Sequence, residues 1–367
     1  MQKSMWTRFA AMFAASGILA IAGCAHQSMP GTAPEYKVDA AWPKPLKGDL
    51  IWGQVSSVAV DRYDHVWVLH RPNTLLDDDK GAQQKPPVNR CCVAAPAVME
   101  FDQAGNFVQG WGGPGEGYDW PKNEHGIHVD WQDNVWISGN DPADNHLLKF
   151  TRDGKFLLQI CKPGKSEGSN SRTQLGRPAA IESDASHNEI LVGDGYGNRR
   201  VIVFNATTGA YKRHWGAYGA VPSDEKVAAY KPGAAPSKQF GNPHCVRRTR
   251  DGLLYVCDRP NNRIQVFLND GTYVREFFID PSTLSGPVAD IVTSRDAGER
   301  FLFAADGSNS EINILRRADG VKVGSFGRPG RMAGEFRSLH NMAIDSNGDI
   351  YTAEAGYGRR VQKFKLQ

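Results

Sequence analysis

Asn123-Glu124-His125-Gly126-Ile127-His128-Val129-Asp130 opens one copy of a unit that recurs six times along the chain. Each equivalent segment ends on a polar residue, and five residues before it stand Ser56, His125, Ala179, His244, Ala289 and His340. Copies two, four and six carry histidine; copies one, three and five carry a small residue.

Outward from this column, every copy follows one plan. A first strand such as 54–61 is followed by a second such as 65–70. A third closes on Phe101, Phe150, Phe204, Phe267, Leu315 or Phe364. A turn with Gly105, Gly154, Gly209, Gly271 or Gly320 leads to a fourth, as in 107–112. With 39 Gly and 21 Pro among 367 residues, short apolar runs between turn residues read as all-β. Four antiparallel strands in each of six copies predict a six-bladed β-propeller. The sixth copy stops after its third strand, and Tyr36-Lys37-Val38-Asp39-Ala40-Ala41-Trp42 is expected to complete that blade and close the ring. Two Pro-, Gly- and charge-rich insertions, 72–95 and 217–238, are loops; long loops in a compact domain are more often functional than not.

Blades of such a ring lie about 60° apart, so alternate blades lie about 120° apart. His125, His244 and His340 open innermost strands and therefore converge beside the axis. Three protein ligands with an open fourth position is the pattern of a catalytic zinc site. His65, His128, His146, His187 and His214 share no such register and read as surface or packing residues. On the same face, second strands end in His70-Arg71, Asp194-Gly195-Tyr196-Gly197-Asn198, Asp258-Arg259-Pro260-Asn261 and Glu354. Two arginines and a tyrosine around the histidines suit an anionic substrate.

The start of the chain reads differently. Residues 1–23 have basic Lys3 and Arg8 and then an apolar run to Ala22, too short for a comfortable membrane span and suited to a signal peptide. Ile21-Ala22-Gly23-Cys24 resembles the bacterial lipobox, with Cys24 as the lipidated residue, and 24–35 reads as a flexible tether before the propeller at 36–367. The expectation is a monomer held by lipid at the cell envelope, facing the periplasm, on the outer membrane if the host is Gram-negative. The formal net charge is +3, falling to +1 without Lys3 and Arg8, and no basic run suggests nucleic acid. Beyond Cys24 there are Cys91, Cys92, Cys161, Cys245 and Cys257, an odd number, so at least one is unpaired or pairs outside the chain. Adjacent Cys91 and Cys92 bond either to each other or elsewhere, and Cys245 and Cys257 lie in one blade where a bridge is open to them.

The repeats resemble NHL repeats. Leu69-His70-Arg71, His125-Gly126-Ile127, Asp194-Gly195-Tyr196, Pro243-His244, Asp258-Arg259 and Leu339-His340 together resemble peptidyl-α-hydroxyglycine α-amidating lyase over about residues 50–366. That resemblance implies cleavage of a carbinolamide N–C bond to an amide and glyoxylate. It implies zinc on His125, His244 and His340, Tyr196 as base, and Arg71 and Arg259 flanking it and a small-molecule or peptide substrate with a carboxylate. It also implies a structural calcium on the carbonyls of Val58 and Ile127, with Asn341 in the carboxylate position. Three departures stand out: Ser338 replaces a methionine, Asn341 an acid, and Gly197 a disulfide cysteine. Two other readings remain open on the sequence: a non-catalytic propeller that binds a partner at the envelope, and a metal-dependent hydrolase or lactonase.

Overall fold

Alternating apolar residues punctuated by turn glycines fold as the repeat demands. The computed structural model describes residues 32–284 and 286–367. The leader, the Cys24 position and the tether through residue 31 lie outside the described residues. Six four-stranded antiparallel sheets run in sequence order. Their innermost strands are Gln54–Val60, Glu124–Val129, Ala180–Asp184, Pro243–Arg248, Asp290–Thr293 and Leu339–Ile344. The sixth sheet is completed by Tyr36–Asp39, which pairs with Arg360–Leu366 in the register Tyr36 to Leu366 through Asp39 to Lys363. The ring closes as the sequence predicts, which removes two exposed sheet edges.

One packing device repeats and identifies that closing strand independently. The third-to-fourth-strand turns need a left-handed residue, and Gly105, Gly154 and Gly271 have φ of +85°, +84° and +93°. A Cβ on Gly154 would stand 2.7 Å from Trp111, and one on Gly271 would stand 2.8 Å from Trp215. Both tryptophans end the fourth strand of the preceding blade. For Gly105 of blade one, the partner at 2.7 Å is Trp42, just after Tyr36–Asp39. Trp42 thus does for blade six, against blade one, what Trp111 does for blade one against blade two and Trp215 for blade three against blade four. Six apolar clusters fill the joints between successive blades, among them Phe303 and Ile350 between blades five and six and Val68 and Tyr351 between blades six and one.

The first insertion is held against the propeller. Thr74 Oγ1 donates to Arg71 O at 2.7 Å and accepts Gln54 N–H at 2.9 Å. Arg359 of blade six binds Asp79 and the Thr74 carbonyl, each at 2.9 Å. Leu50–Ile51 and Val93–Ala94 form a small parallel pair at its base. Cys91 is bonded to Cys92, Cys245 to its cross-strand neighbour Cys257, and Cys161 carries a free thiol. Among the described residues no helix is long and apolar enough to cross a membrane.

Candidate metal centre

Each axial histidine stands second in its inner strand, where pairing with the next strand slips by one residue. The slips lie between Glu124 and Gly126, Pro243 and Cys245, and Leu339 and Asn341. A bulge leaves one residue unpaired and re-aims its side chain. Here the re-aimed side chains are imidazoles that meet. Ring centroids lie 4.8 Å apart for His125 and His340, 5.0 Å for His244 and His340, and 5.3 Å for His125 and His244.

The small residues of the alternation have a role of their own. Nδ1 of His125 lies 2.8 Å from the Ala179 carbonyl, that of His244 2.7 Å from Ala289, and that of His340 2.7 Å from Ser56. A carbonyl only accepts, so Nδ1 carries the proton and Nε2 presents a lone pair. Each blade with an axial histidine is therefore keyed by the next blade, which carries a small residue at that position. Outer partners of this kind fix the tautomer and orientation of metal-binding imidazoles. Burial holds all three rings neutral, well below the usual histidine range for His125 and His244 and near 3 for His340. The other imidazoles, Arg71 and Arg259 add to the effect of burial on His125 or His244.

The Tyr196 hydroxyl lies 2.9 Å from Nε2 of both His125 and His244. One hydroxyl hydrogen cannot serve two acceptors, so one contact sets lone pair against lone pair. His340 Nε2 has no hydrogen-bond partner among the described residues. One ring nitrogen from each histidine lies within 4.8 Å of the others. This donor set is short of positive charge and fits a divalent ion; three imidazoles suit zinc.

Tyr196 is placed by the loop beneath it. Asp194 is fully buried and binds Gly176 N–H at 2.8 Å, the Asn198 amide at 2.7 Å and Arg200 Nε at 2.9 Å. Gly197 N–H donates to Gly176 O at 2.7 Å, and a Cβ on Gly197 would stand 2.8 Å from that oxygen. Two backbones so close leave no room for a side chain, and the hydrogen bond ties the loop where the resemblance would place a disulfide. Burial raises the Tyr196 phenol above its usual value, opposed by Arg259, Arg71, an Asn140 hydrogen bond and Arg177. The two flanking arginines alone do not turn it into a ready base.

Arg71 is anchored through Nε to Glu124 O at 2.7 Å and through Nη1 to Gln54 at 3.0 Å, which leaves Nη2 for a ligand. The Arg259 guanidinium makes no hydrogen bond or ion pair among the described residues, and its charge acts on Tyr196, His244 and His340. His70 and Glu354 do not join them. His70 is buried between Gly53 N–H and the Pro96 carbonyl, and Glu354 is paired with Arg360.

Sequence reasoning missed two groups here. Arg177 lies 5.6 Å over the Tyr196 ring, its Nε on Asn140 O at 2.8 Å and its backbone N–H on Asn145 at 2.7 Å. Asn140 itself reaches the Tyr196 hydroxyl. Arg177 stands two residues before Ala179, where the equivalent residues of the other copies are Gln54, Asn123, Asn242, Pro287 and Ser338, so the repeat offers no signal for it. His128 packs against the neighbouring blade. It lines the axis on the far side of the histidines, with Nε2 2.8 Å from Ser183 Oγ.

Further down the axis the residues do not fit calcium at Val58, Ile127 and Asn341. Asn341 Oδ1 already accepts Val58 N–H at 2.7 Å and Ser57 Oγ at 3.1 Å, and its amide donates to Asp290 Oδ2 at 2.5 Å. The same Asp290 oxygen holds Arg247 Nη2 at 2.6 Å and Met342 N–H at 3.0 Å. The side-chain acceptors are committed, and the half-buried Arg247 guanidinium supplies the positive charge.

The NHL repeat model matches residues 240–267, which covers the first three strands of blade four. The chain is 26% identical over 358 residues to peptidyl-alpha-hydroxyglycine alpha-amidating lyase 1 of Drosophila melanogaster, covering 90% of this chain and 59% of that protein. It is 24% identical over 340 residues to NHL repeat-containing protein 3 of Mus musculus, covering 90% and 84%. It is 26% identical over 360 residues to peptidyl-glycine alpha-amidating monooxygenase of Mus musculus, covering 92% of this chain but 33% of that one. The chain thus spans less than two thirds of the length of both amidating relatives. A solved streptogramin B lyase shares the fold, with a TM-score of 0.52, 13% identity and coverage of 91% and 98%.

Proposed function

We propose that this propeller is a zinc-dependent carbon–nitrogen lyase acting on a small or peptidyl carbinolamide that bears a carboxylate, as the α-hydroxyglycine lyases it resembles are named for doing. The observation that carries this reading is the Tyr196 hydroxyl set 2.9 Å from two of three converging Nε2 atoms. A scaffold gains nothing from three oriented lone pairs without a cation.

The residues divide the work. Arg71 Nη2 and the unpartnered Arg259 guanidinium bind the substrate carboxylate and orient the carbinol carbon toward Tyr196. Tyr196, ionised, takes the proton of the substrate hydroxyl. The C–O pair closes to a carbonyl, the C–N bond breaks, and its electrons pass to the amide nitrogen, which receives the proton that Tyr196 took up and so restores the phenolate. The products are an amide and glyoxylate. A bound zinc ion would supply Lewis acidity toward the substrate oxygen and the positive charge that favours the phenolate. Arg177 and Asn140 hold the phenol in place over the histidines. The protein is further proposed to work at the bacterial envelope through a lipid on Cys24; Cys24→Ala should move it from the membrane to the soluble envelope fraction.

The test is glyoxylate release from α-hydroxyglycine derivatives by zinc-loaded protein, with metal content measured on the same sample. Release that depends on the metal and on Tyr196 supports the lyase. A protein that holds no metal and releases no glyoxylate supports the competing reading, a partner-binding propeller, which similarity over 84% of NHL repeat-containing protein 3 favours.

A further inference from the structure

A cross-strand acid–arginine pair recurs at the end of the second strand in three blades, on the face that holds Tyr196 and Arg259. Asp194 opposes Arg200 in blade three, Asp258 opposes Arg263 in blade four, and Glu354 opposes Arg360 in blade six. In blades three and four the acid and arginine are 2.9 Å apart and fully buried. Blade five breaks the rule. Its acid, Asp306, is just as buried, but the residue opposite is Glu311. A third carboxylate, Asp280 from the connection between blades four and five, joins them, and one oxygen from each lies within 4.8 Å of the others. Where three blades place a guanidinium, this blade gathers three acids.

The neighbours do not make up the charge. Lys322 reaches in from the exposed rim to a single Glu311 oxygen at 2.7 Å. Asp306 is held by Ser308 N–H, Asn309 N–H and the Asn309 amide, all neutral donors. A second, independent feature points to a ligand. Asn313 is fully buried, its amide faces the cluster with Nδ2 3.1 Å from Asp280 Oδ2, and its Oδ1 has no hydrogen-bond partner among the described residues. A half-turn of that amide puts the oxygen where the nitrogen stands, and which atom faces the acids is set by what lies between them. Burial and the nearby Asp280 push the Asp306 carboxyl upward, the direction expected of acids lacking a counter-charge.

We propose that Asp280, Asp306, Glu311 and Asn313 form a calcium-class divalent cation site that replaces, in blade five, the arginine of the other blades. The donors are all oxygen, which selects a hard cation over zinc. Opposite ligands on calcium at about 2.4 Å each lie about 4.8 Å apart, so the spread of the acids suits one ion. The ion would pin Asp280, at the start of the connection between blades four and five, to blade five. That connection also meets the substrate face, since a Cβ on Gly286 would stand 2.6 Å from Arg259 O. The site is separate from the three histidines and from the Asn341 region.

Calcium chloride is titrated into the zinc-loaded full chain, with binding heat and thermal midpoint followed together. About one calcium per chain is expected, with Kd about 10⁻⁴–10⁻³ M, the range of extracellular calcium modules, and a rise in midpoint. Glu311→Gln and Asp280→Asn should each weaken binding at least tenfold. Glu311→Arg, which restores the pair of the other blades, should fold without calcium and lose the response. His340→Ala should keep it, which separates this site from the lyase reading. No binding heat and no midpoint shift up to about 10 mM calcium, or binding unchanged in both Glu311→Gln and Asp280→Asn, would overturn the proposal.

Discussion

Two levels of the same axis handle charge in opposite ways. At the upper level, Nδ1 of His125, His244 and His340 is spent on neighbouring carbonyls, so three Nε2 lone pairs face one point with a single tyrosine hydrogen to share. At the lower level, Arg247, Asp290, Asn341 and Ser57 satisfy one another, and the cation is a guanidinium built into the chain. The upper level needs something from solution and the lower does not. A satisfied buried network specifies structure, whereas an unsatisfied one marks a binding site. Substitutions above should therefore cost metal and activity, and substitutions below should cost stability.

The largest effect is expected at the upper level. Removing any one imidazole leaves two ligands, so His125→Ala, His244→Ala and His340→Ala should each lose the copurifying metal and all measurable glyoxylate release. Metal analysis of the three variants checks this; full metal in all of them would break the comparison at its first term. Next comes Tyr196→Phe, which keeps the ring and removes the hydroxyl. Release should fall about 10²–10⁴-fold, the range for general acid–base groups, with metal content and folding unchanged.

At the lower level, Arg247→Met should leave activity per folded molecule nearly intact and destabilise the fold by about 3–5 kcal/mol, because the buried Asp290 carboxylate loses its partner. Urea unfolding of the metal-free protein measures it. If metal content falls instead and stability holds, the two levels are not separate. Acid sharpens the same contrast. The axial histidines have folded pKa values depressed below 6.5, to about 3 for His340. Their contribution is present above pH 6.5 and is lost as pH falls toward 3, because only the unfolded chain takes up the protons. Metal-free protein should lose up to about 1.4 kcal/mol per pH unit per histidine in that window. The His340→Ala variant should show a shallower slope.

The upper level was legible in the sequence because it is periodic. Strict alternation at one repeat position located the three histidines, and the same period located the closing strand and its Trp42. Three members of the lower level, Ser57, Asp290 and Asn341, come one residue after Ser56, Ala289 and His340, and Arg247 comes three after His244. The lower level went unread because its members differ in kind and only their mutual distances reveal a network. Arg177 and Asn140 lie in connections between strands, where no period constrains the residue type. Glu311 was hidden for the opposite reason. A glutamate at a strand end is ordinary until it is set against Arg200, Arg263 and Arg360 at equivalent positions.

The smallest effect concerns Asn341. An aspartate there is the same size and gives the lower level the carboxylate that a calcium site would want. It also replaces the amide that donates to Asp290 with an oxygen, so two buried carboxylates face each other across what was a 2.5 Å hydrogen bond. Arg247 stands on the same Asp290 oxygen and can offset only part of that repulsion. If the guanidinium already serves as the axial cation, Asn341→Asp should lose about 1–3 kcal/mol whether calcium is present or not, the cost of a broken buried hydrogen bond. If the axis instead accepts calcium, the variant should gain stability on calcium addition beyond that of its parent. Making the substitution in a Glu311→Arg background removes the response from blade five, so a calcium-dependent rise in midpoint could come only from the axis.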